Sequence, residues 1–210
     1  MKLLASLLLV CALGIGALAH LTQGFSALTS ETARRNDVAA SPRPISDVSV
    51  LTPSNAIRSL HDVLHQDGRV AIVNFIYTRC VTLCLAMGSE YQQLQQAILD
   101  EGLQDKVRLL SISFDPTDSA DRLQRYSHMM KADPAVWQFV TMMPGDERQR
   151  VLDDFGIIVI PAPFDEYEHN AAYHVVTAEP RLRRIVDYGE PILALSHARQ
   201  ALERVRKAAP

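Results

Sequence analysis

The chain has 210 residues, a formal net charge of −3 and 48% hydrophobic residues. This length fits one domain plus a leader, and the apolar content is enough for a core without disulfide bonds. The basic residues form no long run, which argues against the clustered basic face that nucleic-acid binding requires. Function must therefore be sought in local motifs.

The N-terminal segment differs from the rest of the chain. After Met1 and Lys2, residues 3–19 carry no charge and end in the small-x-small step Ala17-Leu18-Ala19. This pattern is typical of an export signal, and the run also reaches the lower limit of roughly 17 residues for spanning a bilayer. Residues 1–19 are therefore predicted to be a signal peptide or a membrane anchor, and both alternatives stay open. Either one predicts an exported protein, periplasmic in a bacterium and attached to the cytoplasmic membrane if the segment is retained.

The next region predicts a tether followed by one domain. Residues 20–50 are rich in Ser, Thr, Ala and Arg, and Ser-Pro-Arg-Pro lies near their end, a composition that favours an extended chain. Residues 51–210 show regular patterns of strands and helices. These predict, in chain order, a helix over 55–65, strands over 70–77, 107–114 and 136–141 that are each followed by a helix, an irregular loop over 157–168, two strands over 172–178 and 182–188, and a helix over 192–206.

This order of elements predicts the fold class. Strand–helix alternation favours parallel neighbours with right-handed crossovers, and the last two strands must add an antiparallel pair. The prediction is a single α/β domain of the thioredoxin-like type, with a central mixed sheet flanked by helices.

Two cysteines carry the clearest chemical signal. Cys80 and Cys84 lie where the strand over 70–77 ends and a helix begins. A helix N-terminus stabilises a thiolate, which is the form that binds metals and attacks disulfides. The i, i+4 spacing places both sulfurs on one helix face if the helix includes both. So close a pair is more typical of redox or metal chemistry than of a structural disulfide, and two buried inert thiols are the alternative.

A histidine ligand would decide the metal. Two thiolates suit Cu(I), and with a histidine they also suit Cu(II) or Zn(II), whereas two ligands are too few for a stable zinc site. The methionines are soft donors but usually fill the core. The candidate histidines are His61, His65, His128, His169, His174 and His197.

The cysteine segment resembles a known family. Residues 73–80, Val-Asn-Phe-Ile-Tyr-Thr-Arg-Cys, followed by Cys84, resemble the metal-binding stretch of the Sco/SenC copper chaperones. Residues 111–119 and 132–139 are similar to that family's second and third strands, and the resemblance spans roughly 45–205. It implies copper bound by Cys80, Cys84 and His169, because His169 takes the place of the family's histidine before the terminal strand pair. His174, five residues further on, is the alternative ligand.

The resemblance also implies a role. The implied role is that of a metallochaperone that helps assemble the dinuclear copper centre of cytochrome c oxidase. The implied partners are the copper-containing oxidase subunit or other copper proteins, and thiol reductants. The alternative is a thiol–disulfide oxidoreductase or a redox or copper sensor in which Cys80 and Cys84 are the reactive pair, and the sequence does not decide whether the chain is an enzyme. Val81 and Leu85 stand where the family usually has proline, and loss of proline predicts a more mobile loop.

Four acidic residues near these motifs have simpler interpretations. Asp115 and Asp118 are predicted to form a turn and a helix cap rather than an acid–base pair. Glu166 and Glu168 are interpreted as part of a solvated loop, with the alternative that they border the site.

Overall fold

The structure is a computed structural model that describes residues 2–22, 29–80 and 83–208. Side chains are described throughout these ranges except at residues 2–5, 8, 21, 30, 83–86 and 205–208. Contacts divide the chain into two compact units, residues 1–41 and residues 42–210.

The first unit contains two helices. Helix α1 (Lys2–Leu21) covers the uncharged N-terminal run. Within the described part of the chain, no helix combines the length and the apolar character needed to cross a membrane. The assignment of residues 1–19 as a leader stays a prediction.

Helix α2 (Ser30–Ala40) lies in the segment for which the composition predicted an extended tether. The side chain of Thr29 caps its first turn. Glu31 forms ion pairs with Arg34 at 2.9 Å and Arg35 at 2.8 Å. A cap together with i, i+3 and i, i+4 pairs stabilises helical backbone, so the local conformation differs from the prediction. The role of this segment as a tether stays a prediction.

The second unit is built on one large sheet and one separate hairpin. Its strands are β1 (Arg43–Pro44), β2 (Ser49–Leu51), β3 (Ile57–Ser59), β4 (Val70–Ile76), β5 (Val107–Ser113), β6 (Trp137–Met142), β7 (Val159–Ala162), β8 (Glu166–His169), β9 (Ala172–Val176) and β10 (Arg181–Asp187). The large sheet has the order β1-β10-β9-β4-β5-β6-β2-β3, whereas β7 and β8 pair only with each other. Strands β4, β5 and β6 are parallel, and the remaining pairs are antiparallel.

Helices cover the central strands. They are α3 (Leu60–His65), α4 (Leu83–Asp100), α5 (Ala120–Met129), α6 (Asp146–Phe155) and α7 (Pro191–Ala208). All seven residues of β4 and all seven of β5 are buried, as expected for parallel strands with both faces covered. Helices α4 and α7 pack against each other, and α7 also packs against β4, β9 and β10. The predicted central mixed sheet flanked by helices is confirmed.

Two local predictions were wrong. The helix predicted from residue 55 begins only at Leu60, because β3 precedes it and pairs with β2. The irregular loop predicted over 157–168 is largely the hairpin of β7 and β8. Pro161 and Pro163 argued against strands there, since proline cannot donate to a sheet. A two-stranded hairpin tolerates them because each strand has one free edge.

Candidate metal centre

The segment that contains Cys80 connects the carboxyl end of β4 to α4. The backbone N–H of Cys80 donates to the carbonyl of Tyr77 at 3.2 Å, and the Cys80 side chain is buried, with 4% exposed. Because α4 begins at Leu83, Cys84 is its second residue, but the Cys84 side chain and the whole of Val81 lie outside the described part of the chain. Cys80 therefore lies at the predicted strand-to-helix junction.

A buried carboxylate holds this segment in place. Asp118 accepts hydrogen bonds from the backbone N–H of Thr78, at 2.9 Å, and from the Thr78 hydroxyl. A third bond comes from the hydroxyl of Ser113, at 2.6 Å. The N-cap of α5 is the neighbouring Ser119, whose side chain accepts from the N–H of Arg122. The stretch is thus a turn and cap, as predicted, and Asp118 additionally positions the cysteine segment.

A second buried carboxylate anchors Arg79. Asp115 is fully buried and accepts from the Arg79 guanidinium at 2.8 Å. It also accepts from the backbone N–H and the hydroxyl of Thr117, at 2.9 and 2.8 Å. Burial alone would raise the pKa of Asp115, but the hydrogen bonds from Thr117 and Arg79 outweigh it and hold the pKa below its usual value. The residue before Cys80 is therefore fixed by an ion pair that persists at neutral pH.

His169 presents a buried nitrogen toward this region. Its Nδ1 faces the carbonyl oxygen of Asn170 at 3.0 Å, and because a carbonyl only accepts, Nδ1 carries the proton and Nε2 keeps its lone pair. Burial lowers the pKa of His169, whereas the bond to Asn170 and the charge of Cys80 act in the opposite direction. Among the described residues, Nε2 is buried and has no hydrogen-bond partner. Such an atom requires an explanation, and neutral imidazole nitrogen is a common metal ligand.

Aromatic rings pack around His169. The ring centroid of His169 lies 5.0 Å from that of Phe114 and 6.0 Å from that of Tyr77. Tyr167 packs edge-on against both Tyr77 and Phe114, at 5.3 and 5.5 Å. The Tyr77 hydroxyl donates to Glu166 at 2.6 Å. These contacts dock the hairpin strand β8 onto the ends of β4 and β5.

Tyr77 also connects the histidine to the cysteine. Its pKa is raised first by burial, then by its hydrogen bond to Glu166, and further by the nearby Cys80 side chain. Tyr77 stays protonated at neutral pH and contacts both halves of the site. Cys80 and His169 therefore share one aromatic-walled region, although they are 89 positions apart in the chain.

The family comparison agrees with this geometry. The model of the family described as SCO1/SenC matches residues 62–205, which is more than half of the chain. The chain belongs to the SCO1/SenC family. A curated Sco relative, the SCO1 protein homolog of Bacillus subtilis, is 29% identical over 112 residues. That alignment covers 52% of this chain and 57% of the relative, so the chain spans somewhat more than half of the relative's length.

Solved Sco structures share the fold. BsSco, a member of the Sco family of cytochrome c oxidase assembly proteins in which a disulfide switch was identified, superposes with a TM-score of 0.64 at 21% identity, covering 77% of this chain and 95% of BsSco. Arabidopsis thaliana ScoI, solved with copper bound, gives a TM-score of 0.62 at 15% identity, covering 78% of this chain and 99% of ScoI. The predicted thioredoxin-like fold of this family is confirmed.

His174 lies in a different environment from His169. Its side chain is fully buried in the Sco core, where Nδ1 faces the carbonyl of Val73 at 3.3 Å and Nε2 faces the carbonyl of Phe155 at 3.1 Å. Phe75 also packs edge-on against the ring, at 5.8 Å. Both nitrogens of His174 are thus directed at backbone carbonyls, of which a neutral imidazole can donate to only one, and the side chain lies within the core.

The other predicted histidines lie elsewhere. His61 faces the carbonyl of Ile45 at 2.7 Å and His65 that of Ala178 at 3.1 Å, while His128 is exposed on α5. In the described ranges, which leave out the Cys84 side chain, no group of three or more His, Cys, Asp or Glu residues is arranged to hold a metal ion. The histidine that the structure brings toward Cys80 is His169.

Several residues of the site were not singled out from the sequence. Tyr77, Phe114 and Tyr167 form the aromatic walls, and a signal was present, because Tyr77 and Phe114 each follow directly after a buried parallel strand. Glu166 borders the site through its bond to Tyr77, whereas Glu168 is exposed. Of the two acidic residues, it is therefore Glu166 that borders the site.

Proposed function

We propose that this protein binds copper through Cys80, Cys84 and His169 and takes part in assembling the dinuclear copper centre of cytochrome c oxidase. The observation that carries the proposal is the buried Nε2 of His169, which has no hydrogen-bond partner among the described residues and lies in the same aromatic-walled region as Cys80. Membership of the Sco family and the copper-bound structure of ScoI support it.

The donor set fits copper. Two thiolates and one imidazole match the soft and borderline ligands that copper prefers. The Nδ1–H bond to Asn170 fixes the tautomer that leaves Nε2 free, which is the usual arrangement behind a metal-binding histidine. The aromatic walls of Tyr77 and Phe114 exclude water from the side that faces the core. Copper, when bound, is the cargo that the assembly reaction transfers.

The second candidate is thiol–disulfide exchange by Cys80 and Cys84. The disulfide switch identified in BsSco favours it, as do the missing prolines at Val81 and Leu85. In this reading His169 is not needed. The copper affinity of a His169 variant therefore distinguishes copper binding from thiol–disulfide exchange.

The test is a copper titration of the reduced full chain, following stoichiometry and the thiolate-to-copper absorption. We expect one copper per chain. His169→Ala should lower the affinity by more than the roughly 10–100-fold that loss of an outer-shell partner costs, while His128→Ala, which removes an exposed imidazole, should leave it unchanged. Wild-type affinity in His169→Ala, together with rapid cycling of the cysteine pair, would favour the exchange function.

The cysteines provide the complementary control. Cys80→Ser or Cys84→Ser should abolish both copper binding and dithiol chemistry, since each leaves a single thiol. Full copper stoichiometry in either variant would contradict the proposed ligand set.

The proposed location follows from the N-terminal sequence. We infer that the chain is exported across the cytoplasmic membrane, because residues 3–19 carry no charge behind Lys2, as in an export signal. The partners would then be the copper-containing oxidase subunit or other copper proteins on the outer side, and thiol reductants that keep the cysteines reduced. Cell fractionation of the tagged full chain tests this, and recovery in the cytoplasm would contradict it.

A further inference from the structure

The outer face of the β7–β8 hairpin is apolar and exposed. Phe164, at the tip, is 97% exposed, and Ile158 and Ile160 are 64% and 53% exposed. Side chains alternate between the two faces of a strand. Because Tyr167 and His169 contact the core aromatic rings, the exposed residues at alternate positions, Ile158, Ile160 and Glu168, face outward. The hairpin that carries His169 inward therefore carries an apolar surface on its other side.

The backbone at the tip is strained. Phe164 has φ 64° and ψ 31°, and Asp165 follows with φ 60°. Aspartate tolerates this left-handed region, but a bulky aromatic residue rarely adopts it. Strained backbone of this kind is found mostly at functional sites, where the residue is needed for a purpose other than stability. Solvent-exposed Phe164 contributes no packing to offset the strain, so this purpose lies outside the folded chain.

Acidic groups accompany the apolar surface. Glu168 pairs in register with Ile160 and is exposed, as is Asp165 beside Phe164. Within the described residues, neither carboxylate forms an ion pair. The pKa of Arg79 is raised mainly by its hydrogen bond to Asp115, and Asp165 adds to this effect. The tip therefore lies within electrostatic range of the residue that precedes Cys80.

We propose that Phe164, Ile158 and Ile160 form the docking surface for the copper-exchanging partner protein, with Phe164 inserting into an apolar depression that basic side chains surround. This inference rests on the proposed function and names the part of the surface that the partner recognises. An exposed aromatic residue accompanied by other exposed apolar side chains is typical of an interface anchor. The carboxylates of Asp165 and Glu168 favour a partner that has Lys or Arg side chains around this depression.

The same charges argue against a membrane surface. A patch of one Phe and two Ile could enter a lipid interface, but this would bring Asp165 and Glu168 close to headgroups that either repel their negative charge or carry no net charge to compensate it. A protein partner with Lys or Arg at the rim compensates both carboxylates. Docking there would bring the partner next to β8, whose last residue is His169.

The experiment measures association of the full chain with the metal-free, reduced copper domain of the oxidase subunit from the same organism. Phe164→Asn should weaken this association roughly tenfold or more, as loss of an anchor residue does. Asparagine tolerates the left-handed backbone, so the midpoint of thermal unfolding should stay the same or rise. Asp165→Asn with Glu168→Gln should remove most of the salt dependence of binding. The matched control is Ile57→Asn, because Ile57 is 63% exposed on edge strand β3; it should bind as wild type does.

Four results would overturn the proposal. They are unchanged association in Phe164→Asn, an equal loss in Ile57→Asn, a fall in the unfolding midpoint that accounts for the lost binding, or Phe164-dependent binding to phosphatidylcholine vesicles or to a second copy of the chain in place of the copper domain. Because the copper domain is tested without metal, this outcome is independent of the copper titration. If the wild-type chain failed to bind copper but still associated with the copper domain through Phe164, the proposed copper ligands would be wrong and the proposed docking surface would stand.

Discussion

The two halves of the site are held in different ways. Two buried carboxylates hold the Cys80 segment in place. Asp118 accepts hydrogen bonds from Thr78, and Asp115 forms an ion pair with Arg79. The histidine half is a hairpin whose strands pair only with each other. It rests on the domain through the aromatic rings and the bond from Tyr77 to Glu166.

This difference makes the cysteine half of the site rigid and the histidine half easier to displace. Buried charged hydrogen bonds fix a segment strongly, because breaking one leaves an unpaired buried group. A two-stranded hairpin is marginal on its own and depends on the surface to which it docks. The cysteine half is therefore the fixed reference of the site, and the histidine half is the part whose placement responds to small changes.

The largest effect should come from the fixed half. Asp118→Ala removes the acceptor of the partly buried Thr78 donors and of the buried Ser113 hydroxyl, and we expect a loss of about 3 kcal/mol in the free energy of unfolding. Urea denaturation measures it. Asp105→Ala removes an exposed carboxylate and should cost less than about 0.5 kcal/mol. If Asp118→Ala also cost that little, the segment would be held by something other than this carboxylate.

An intermediate effect should depend on pH. The pKa of Asp115 is lowered in the folded protein, so its contribution is present above the unfolded pKa and is lost as pH falls through the folded pKa. At pH 7, Asp115→Asn should cost about 2 kcal/mol. The gap between variant and wild type should shrink as the pH is lowered below the usual carboxyl range. A gap that stays constant down to pH 3 would show that the ionised form is not what stabilises the segment.

The smallest effect should come from the hairpin. The Asn170 side chain donates to the carbonyl of Gly156 at 2.9 Å and accepts from the N–H of Ile158 at 2.7 Å, which closes the hairpin base. Asn170→Ala should cost about 1 kcal/mol in global stability but increase amide exchange across β7 and β8 selectively. Equal acceleration of exchange in β4 and β5 would mean that the hairpin and the sheet unfold as one unit, and the contrast between the two halves would fail.

The sequence predicted the fixed half better than the hairpin. The apolar runs of β4 and β5 and the position of Cys80 at a strand end follow from local pattern. The hairpin was missed because Pro161 and Pro163 indicate an irregular loop, although a hairpin of two strands can accommodate them. The aromatic walls arise from contacts between distant positions, which periodicity does not record.

The choice between the two histidines shows the same limit. From spacing alone, both His169 and His174 are candidates, and the family resemblance favours the first. The physical distinction appears only in three dimensions. The His174 ring faces two backbone carbonyls, whereas His169 has a buried nitrogen for which the described part of the chain supplies no hydrogen-bond partner. A hydrogen-bond partner supplied from elsewhere in the chain cannot be read from a local motif.

The hydrogen bond from Tyr77 to Glu166 joins residues 89 positions apart, and this separation sets an order of events during synthesis. Contacts between distant positions form late, after the intervening chain has closed into a loop. A chain that emerges from its N-terminus presents Cys80 well before the hairpin can dock beside it. The two halves of the site can therefore meet only after residue 169 has emerged.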